Sequence, residues 1–128
     1  MKTDKEKYIG RVADTLESAE TLFRTGNYYG CTNRCYYTMF YCVQSMLSTK
    51  NTFTKSHKGI LTKFAENFIK TGEIEKEFGA DLKSVFDKRL TADYDMDNDI
   101  SQEEAEEVLK RTAAFVEMTR NYINKQNP

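Results

Sequence analysis

Apolar residues recur three and four positions apart along almost the whole chain, the spacing that lays a stripe along one face of an α-helix. Between Asp4 and Arg24 the stripe is Ile9, Val12, Leu16, Ala19 and Phe23, and Gly26 ends it. Asn27 suits the N-cap of a second helix from Tyr28 to about Ser48, because its side-chain oxygen can accept from a backbone N–H that a helix start leaves unpaired. The periodic set there is Cys35, Tyr36, Met39, Phe40, Val43 and Leu47, so this helix is expected to be the most buried. Ser56 can cap a third helix carrying Ile60, Leu61, Phe64 and Phe68, stopped at Thr71-Gly72. Ile74, Phe78, Leu82, Val85 and Phe86 continue the pattern to about Ala92, with Gly79 as a break between a short piece and a longer one.

The last helix has the best-marked start. Ser101-Gln102-Glu103-Glu104 is a capping box, in which hydroxyl and carboxylate each take an orphaned backbone N–H. Four glutamates then crowd the positive end of the helix dipole, while Arg120 and Lys125 lie near the negative end. No segment alternates with the period of a strand. The expectation is an all-α protein: an antiparallel up-and-down four-helix bundle with an additional short helix.

Length and charge narrow the function. The 128 residues make one domain, 1–128, able to bury on the order of two-thirds of its unfolded surface. Nineteen basic against twenty acidic residues exclude a generally basic nucleic-acid coat protein, so any polyanion site must be local. The amino terminus has no apolar core of a secretory signal, and Cys35–Leu47 is well short of the ~20 residues a spanning helix needs. A cytoplasmic protein with no membrane partner is expected. Cys31, Cys35 and Cys42 share a face of the second helix. The ~5–6 Å between Cβ atoms at i, i+4 is too long for a disulfide, and no CxxC or neighbouring histidine completes a zinc set. They read as reduced packing residues.

His57 is the only histidine, which excludes most triads and two-histidine metal sites within one chain. Glycine-rich phosphate loops are missing, so a nucleotide would have to be held by side chains; no cofactor is implied. The acidic stretch Asp93–Glu104 offers one alternative, a calcium loop with Asp93, Asp95, Asp97, Asp99 and Glu104 as ligands, although Asn98 stands where the sharp turn wants glycine. A solvated loop leading into a capped helix explains the same letters. On the second helix Arg34 sits among aromatics that include Tyr36 and Tyr37. It either snorkels outward, pairs with a carboxylate such as Asp93, or meets a phosphate through its planar fork. Arg89 and Asp93 stand at i, i+4, where they can form an ion pair, and His57, Lys55 and Lys58 are further donors that could face a phosphate.

These residues make the chain resemble the HEPN family, the higher-eukaryote and prokaryote nucleotide-binding domain. Asn33-Arg34-Cys35-Tyr36-Tyr37-Thr38-Met39-Phe40 looks like the family's S-R-x-Y-Y-A-M-F run, and Ser56-His57-Lys58-Gly59 like its T/S-H-x-G element. Phe64 to Gly72 is similar to F-x-x-x-F-x-K-x-G, Arg89-Leu90-Thr91-Ala92-Asp93-Tyr94 to R-x-x-A-D-Y, and Glu103 to Phe115 to the closing E-E-A helix. The resemblance implies a helical bundle that pairs as a homodimer, often encoded beside a minimal nucleotidyltransferase, with a cleft for nucleotide or RNA near the interface. Many members are metal-independent ribonucleases using R-x(4–6)-H. Arg89 fits the first half, but Tyr94, Asp95 and Met96 occupy the positions where the histidine should fall. An ordinary tyrosine, with a pKa of ~10, is a poor base at neutral pH.

The leading expectation is therefore a nucleotide- or RNA-binding module of a toxin–antitoxin-like system, or the partner of a nucleotidyltransferase. Arg34, Tyr36, Tyr37, His57, Arg89, Asp93 and Tyr94 form its site. Two alternatives stand beside it. One is a ribonuclease toxin in which His57 or Tyr94 works with Arg89. The other is a non-catalytic helical adaptor in which Arg34, Arg89 and Asp93 fix helix register.

Overall fold

The computed structural model describes residues 2–94 and 99–126. Its elements are helices α1 (Asp4–Arg24), α2 (Tyr28–Ser48), α3 (His57–Phe64), α4 (Lys76–Tyr94) and α5 (Gln102–Gln126), and α3 runs on into a π-helical stretch, Ala65–Ile69. The all-α bundle expected from the periodicity is what forms, and the caps fall where the sequence places them. Asn27 accepts from the N–H of Gly30 at 2.8 Å, and Ser56 from that of Gly59 at 2.8 Å. Ser101 and Glu104 exchange both bonds of the capping box, at 3.1 and 3.3 Å. Gly26, at φ +82°, ends α1 in a left-handed turn in which the N–H of Asn27 reaches the carbonyl of Leu22 at 2.8 Å.

Two details depart from the periodic reading. Gly79 does not break α4, which runs through it; a Cβ there would stand 3.4 Å from Ile69, in ordinary van der Waals contact. The third helix is likewise not uniform. The N–H of Lys70 bonds the carbonyl of Ala65, one residue further back than in an α-helix, and the ammonium of Lys50 takes the carbonyl of Asn67.

Helix α2 is the centre of the molecule, with twelve buried residues, as its composition predicts. Two of its small polar residues are buried with local bonds: the Thr38 hydroxyl donates to the carbonyl of Arg34, and that of Ser45 to the carbonyl of Cys42, whereas the buried Thr32 hydroxyl has no partner among the described residues. All three cysteines are free and fully buried, and burial pushes the Cys42 thiol up to about 12. The order of contacts fixes the helix directions. Tyr41 stacks on Tyr8 and Thr38 bonds Thr15, so α1 and α2 are antiparallel. Tyr36 meets Phe86 while Tyr29 meets Asp93, so α2 and α4 are too. In contrast Cys35 lies beside Thr112 and Met46 beside Thr119, so α2 and α5 run parallel through the core. Phe64 against Phe115 and Phe68 against Tyr122 set α3 in the same direction.

That third direction matters for the site. The segment 49–56 must return along α2 before α3 can start, which carries His57 back to Tyr36 and Phe40, far from the end of α2 in sequence but against its middle in space. No helix among the described residues is long and apolar enough to cross a membrane.

Candidate functional site

On α2, Tyr29, Asn33, Tyr36 and Phe40 are spaced four, three and four apart, so they share one face. Tyr37 adjoins it. This face receives α4 and the start of α3, and the residues singled out by the sequence converge there. The guanidinium carbon of Arg89 lies 4.9 Å from the centre of the Tyr36 ring and 5.3 Å from that of Tyr37. Arg34 reaches the same Tyr37 ring at 5.0 Å. The His57 imidazole packs on both tyrosines, at centroid distances of 5.4 and 5.9 Å, and its Nδ1 is 2.6 Å from the Tyr36 hydroxyl.

Each side chain has an identifiable support. Asp93, one turn beyond Arg89 on α4, lies 3.4 Å from its Nη2, and the two side chains are only 20% and 15% exposed. This is a half-buried pair rather than the surface pair that the spacing alone suggests. The Tyr29 hydroxyl donates to the other oxygen of Asp93. That bond, which only a protonated tyrosine can give, raises the Tyr29 pKa. Arg34 does not meet Asp93. Both its Nε and Nη2 donate to the side-chain oxygen of Asn33, its immediate neighbour, at 3.2 and 2.8 Å. Among the described residues no carboxylate pairs with Arg34, and Arg89 Nε is buried with no partner at all.

Tyr36 is fully buried, and burial raises its pKa although the charge of Arg89 pulls the other way. Its hydroxyl therefore keeps its proton, and the imidazole tautomer sets which of the two groups donates: Tyr36 to Nδ1 when the ring proton is on Nε2, Nδ1 to the Tyr36 oxygen when it is not. Burial first, and the charge of Arg89 second, lower the His57 pKa. His57 consequently favours the neutral imidazole. Because the folded protein binds this proton less readily than the unfolded chain, the associated stability is present above the ordinary histidine pKa of ~6.5 and is lost as pH falls through the folded value. Melting temperatures at pH 7.5 and pH 5.5 should therefore differ more for the parent than for His57→Gln, and equal differences would show that His57 carries no such linkage.

The site's glycine has a steric reason. A Cβ on Gly59 would fall 2.1 Å from Thr54 Oγ1 and 2.6 Å from the capping Ser56 Oγ, so the turn that presents His57 closes only over a bare backbone. Lys55 and Lys58 flank His57 at exposed positions.

This set of a serine-capped histidine, an aromatic helix bearing arginine and an Arg-x-x-x-Asp turn falls within the stretch that matches a known family. The family described as HEPN domain matches residues 6–122. The chain belongs to the HEPN family. Among its relatives, a Methanocaldococcus jannaschii protein named "putative toxin" is 38% identical over 126 residues, covering 98% of this chain and 86% of its own length. A second "putative toxin" of that organism is 30% identical, covering 88% of this chain and 83% of its own length. A Thermotoga maritima protein named only "UPF0332 protein" is 29% identical, covering 94% of each chain.

Within this HEPN domain the sequence-predicted residues Arg34, Tyr36, Tyr37, His57, Arg89 and Asp93 stand together. The Tyr94 side chain lies outside the described residues, as do Asp95 and Asp97 of the calcium-loop alternative. Of that loop's other ligands, Asp93 is engaged by Arg89 and Tyr29, and Glu104 bonds the N–H of Ser101 and lies 3.5 Å from Lys88. Sequence reasoning passed over Tyr29, Asn33, Phe40 and Phe86. The signal for the first three was available in their helical register with Tyr36; nothing local marks Phe86 as the residue that meets Tyr36 from α4.

Proposed function

We propose that this HEPN domain is a homodimeric module of a toxin–antitoxin-like system that binds the phosphate of a nucleotide or RNA on the Tyr36–Tyr37 platform, with a minimal nucleotidyltransferase as its protein partner. One observation carries the ligand: a cationic surplus on an aromatic surface. Arg34 and Arg89 both lie against the Tyr37 ring, so the two charges stand within about 10 Å of each other, no more than a Debye length at 0.1 M salt. Only Asp93 opposes them among the described residues. A phosphate here would relieve their repulsion, accept from the guanidinium groups and lie beside the neutral imidazole of His57. The tyrosine rings add faces on which a base can stack. The names of two relatives support the toxin context, while the homodimer and the nucleotidyltransferase rest on the family resemblance.

Calorimetric titration with a six-nucleotide oligoadenylate at several salt concentrations tests the ligand. Log affinity should fall linearly with log salt, and Arg34→Ala should flatten the slope by about 0.7, the single-strand value for one phosphate contact. A parent protein that binds neither nucleotide nor RNA would overturn the reading.

A second reading has its own support, since His57 packs on the same two rings as Arg89 and is the only imidazole in the chain. A metal-independent ribonuclease would use Arg89 on the scissile phosphate and His57, or Tyr94, for the proton. RNA cleavage by EDTA-treated protein, lost in both Arg89→Ala and His57→Ala, would establish it. Absence of cleavage by the parent would leave the binding module.

A further inference from the structure

The Arg89–His57 cluster does not end at Phe40. That ring packs on His57 at 5.6 Å and also lines a groove of about 930 Å³, bounded by the amino-terminal turns of α1, the second half of α2 and the returning segment 49–56. The volume falls within the ~300–1,000 Å³ of small-ligand sites. Two features of this groove suit a ligand. Phe53 stands 69% exposed at its rim, an aromatic face open to solvent. Gln44 lines the groove and is only 4% exposed; its amide N–H bonds the carbonyl of Thr54, which fixes the flip, yet its carbonyl oxygen has no partner. The left-handed φ of +52° at Asn51, also in the lining, belongs to the cap of α2, in which the N–H of Thr52 reaches the carbonyl of Leu47 at 3.0 Å.

We propose that this groove is a second nucleotide subsite, which takes the base of the residue adjoining the phosphate held at Arg89 and so makes single-stranded RNA, rather than a free mononucleotide, the better ligand. The inference rests on the phosphate reading above and deepens it. His57 is the fourth residue after Phe53, so their Cα atoms are at most about 14 Å apart, within reach of a short strand. Phe53 supplies an exposed stacking face, and side chains such as Gln44, Asn51 and Thr52 in the lining can meet a base edge. Lys5 and Lys55 face the backbone of the strand against a single opposing carboxylate in the lining, Asp4.

Calorimetry with AMP and with the six-nucleotide oligoadenylate, on the parent, Phe53→Ala and Arg89→Ala, decides the matter. The oligonucleotide should bind the parent more tightly than AMP does. Phe53→Ala should weaken the oligonucleotide about tenfold, the loss of one stacked base, and leave AMP unchanged. Because Phe53 is exposed, its removal should not move the melting temperature. Oligonucleotide affinity untouched by Phe53→Ala but reduced by Arg89→Ala would overturn the groove and leave the phosphate site standing. Equal weakening of AMP and oligonucleotide would put Phe53 against the first nucleotide and overturn a second subsite. Failure of the parent to bind either would remove both.

Discussion

Arg89→Ala is expected to weaken binding of AMP or a short oligoribonucleotide by ~10–150-fold, the range that follows from losing hydrogen bonds to a charged group worth about 1.5–3 kcal/mol. Calorimetric titration checks it, with far-UV circular dichroism confirming that the helices persist. The large effect comes from where the guanidinium sits. Its side chain is 15% exposed and two tyrosine rings hold it in place before an anion arrives. Arg89→Lys should recover only part of the affinity, because an ammonium keeps the charge but loses the fork and the stacking on Tyr36 and Tyr37. The same substitution separates binding from architecture. If Arg89→Ala lowers the melting temperature while affinity for every nucleotide tested is unchanged, the Arg89–Asp93–Tyr29 set is a register device of a helical adaptor.

Phe115→Ala should produce the largest loss of stability, ~3–5 kcal/mol, the usual cost of removing a buried aromatic ring and leaving a cavity. Phe115 is fully buried, 5.4 Å from Phe64 and 6.0 Å from Phe78, and so ties α5 to both α3 and α4. Among the ring pairs of the described residues, no other aromatic joins these three helices at once. Against a total stability of ~5–15 kcal/mol the loss is a large fraction, and in thermal melts it should lower the transition by roughly 10–20 °C. A drop under about 5 °C would mean that the neighbouring rings close the cavity and that the core around α3 is more adaptable than close packing allows.

Much of this protein was legible in the chain because its helices are written in local terms. The spacing of Val12, Ala19, Met39, Val43, Val108 and Phe115 predicts which faces are buried, and capping chemistry at Asn27, Ser56 and Ser101 predicts where helices begin, since both depend on neighbours within about one turn. The residue types of the site were legible for a related reason: arginine amid tyrosines, one histidine after a cap, and Arg89 four before Asp93 are all short-range patterns.

Tertiary structure alone decided what these residues do to one another. Whether Arg34 meets Asp93 or Asn33 depends on the rotation of α4 against α2, to which no local spacing is sensitive, and the answer is Asn33. Above all, the segment 49–56 turns back along α2 and sets α3 parallel to it. His57, twenty-one residues from Tyr36, thereby reaches hydrogen-bonding distance of its hydroxyl, and the lowered basicity of one and the retained proton of the other follow from that burial and that contact. Helix formation is dictated by periodicity and capping within the chain; the charge, tautomer and partner of each site residue are set by desolvation and by groups that only packing brings near.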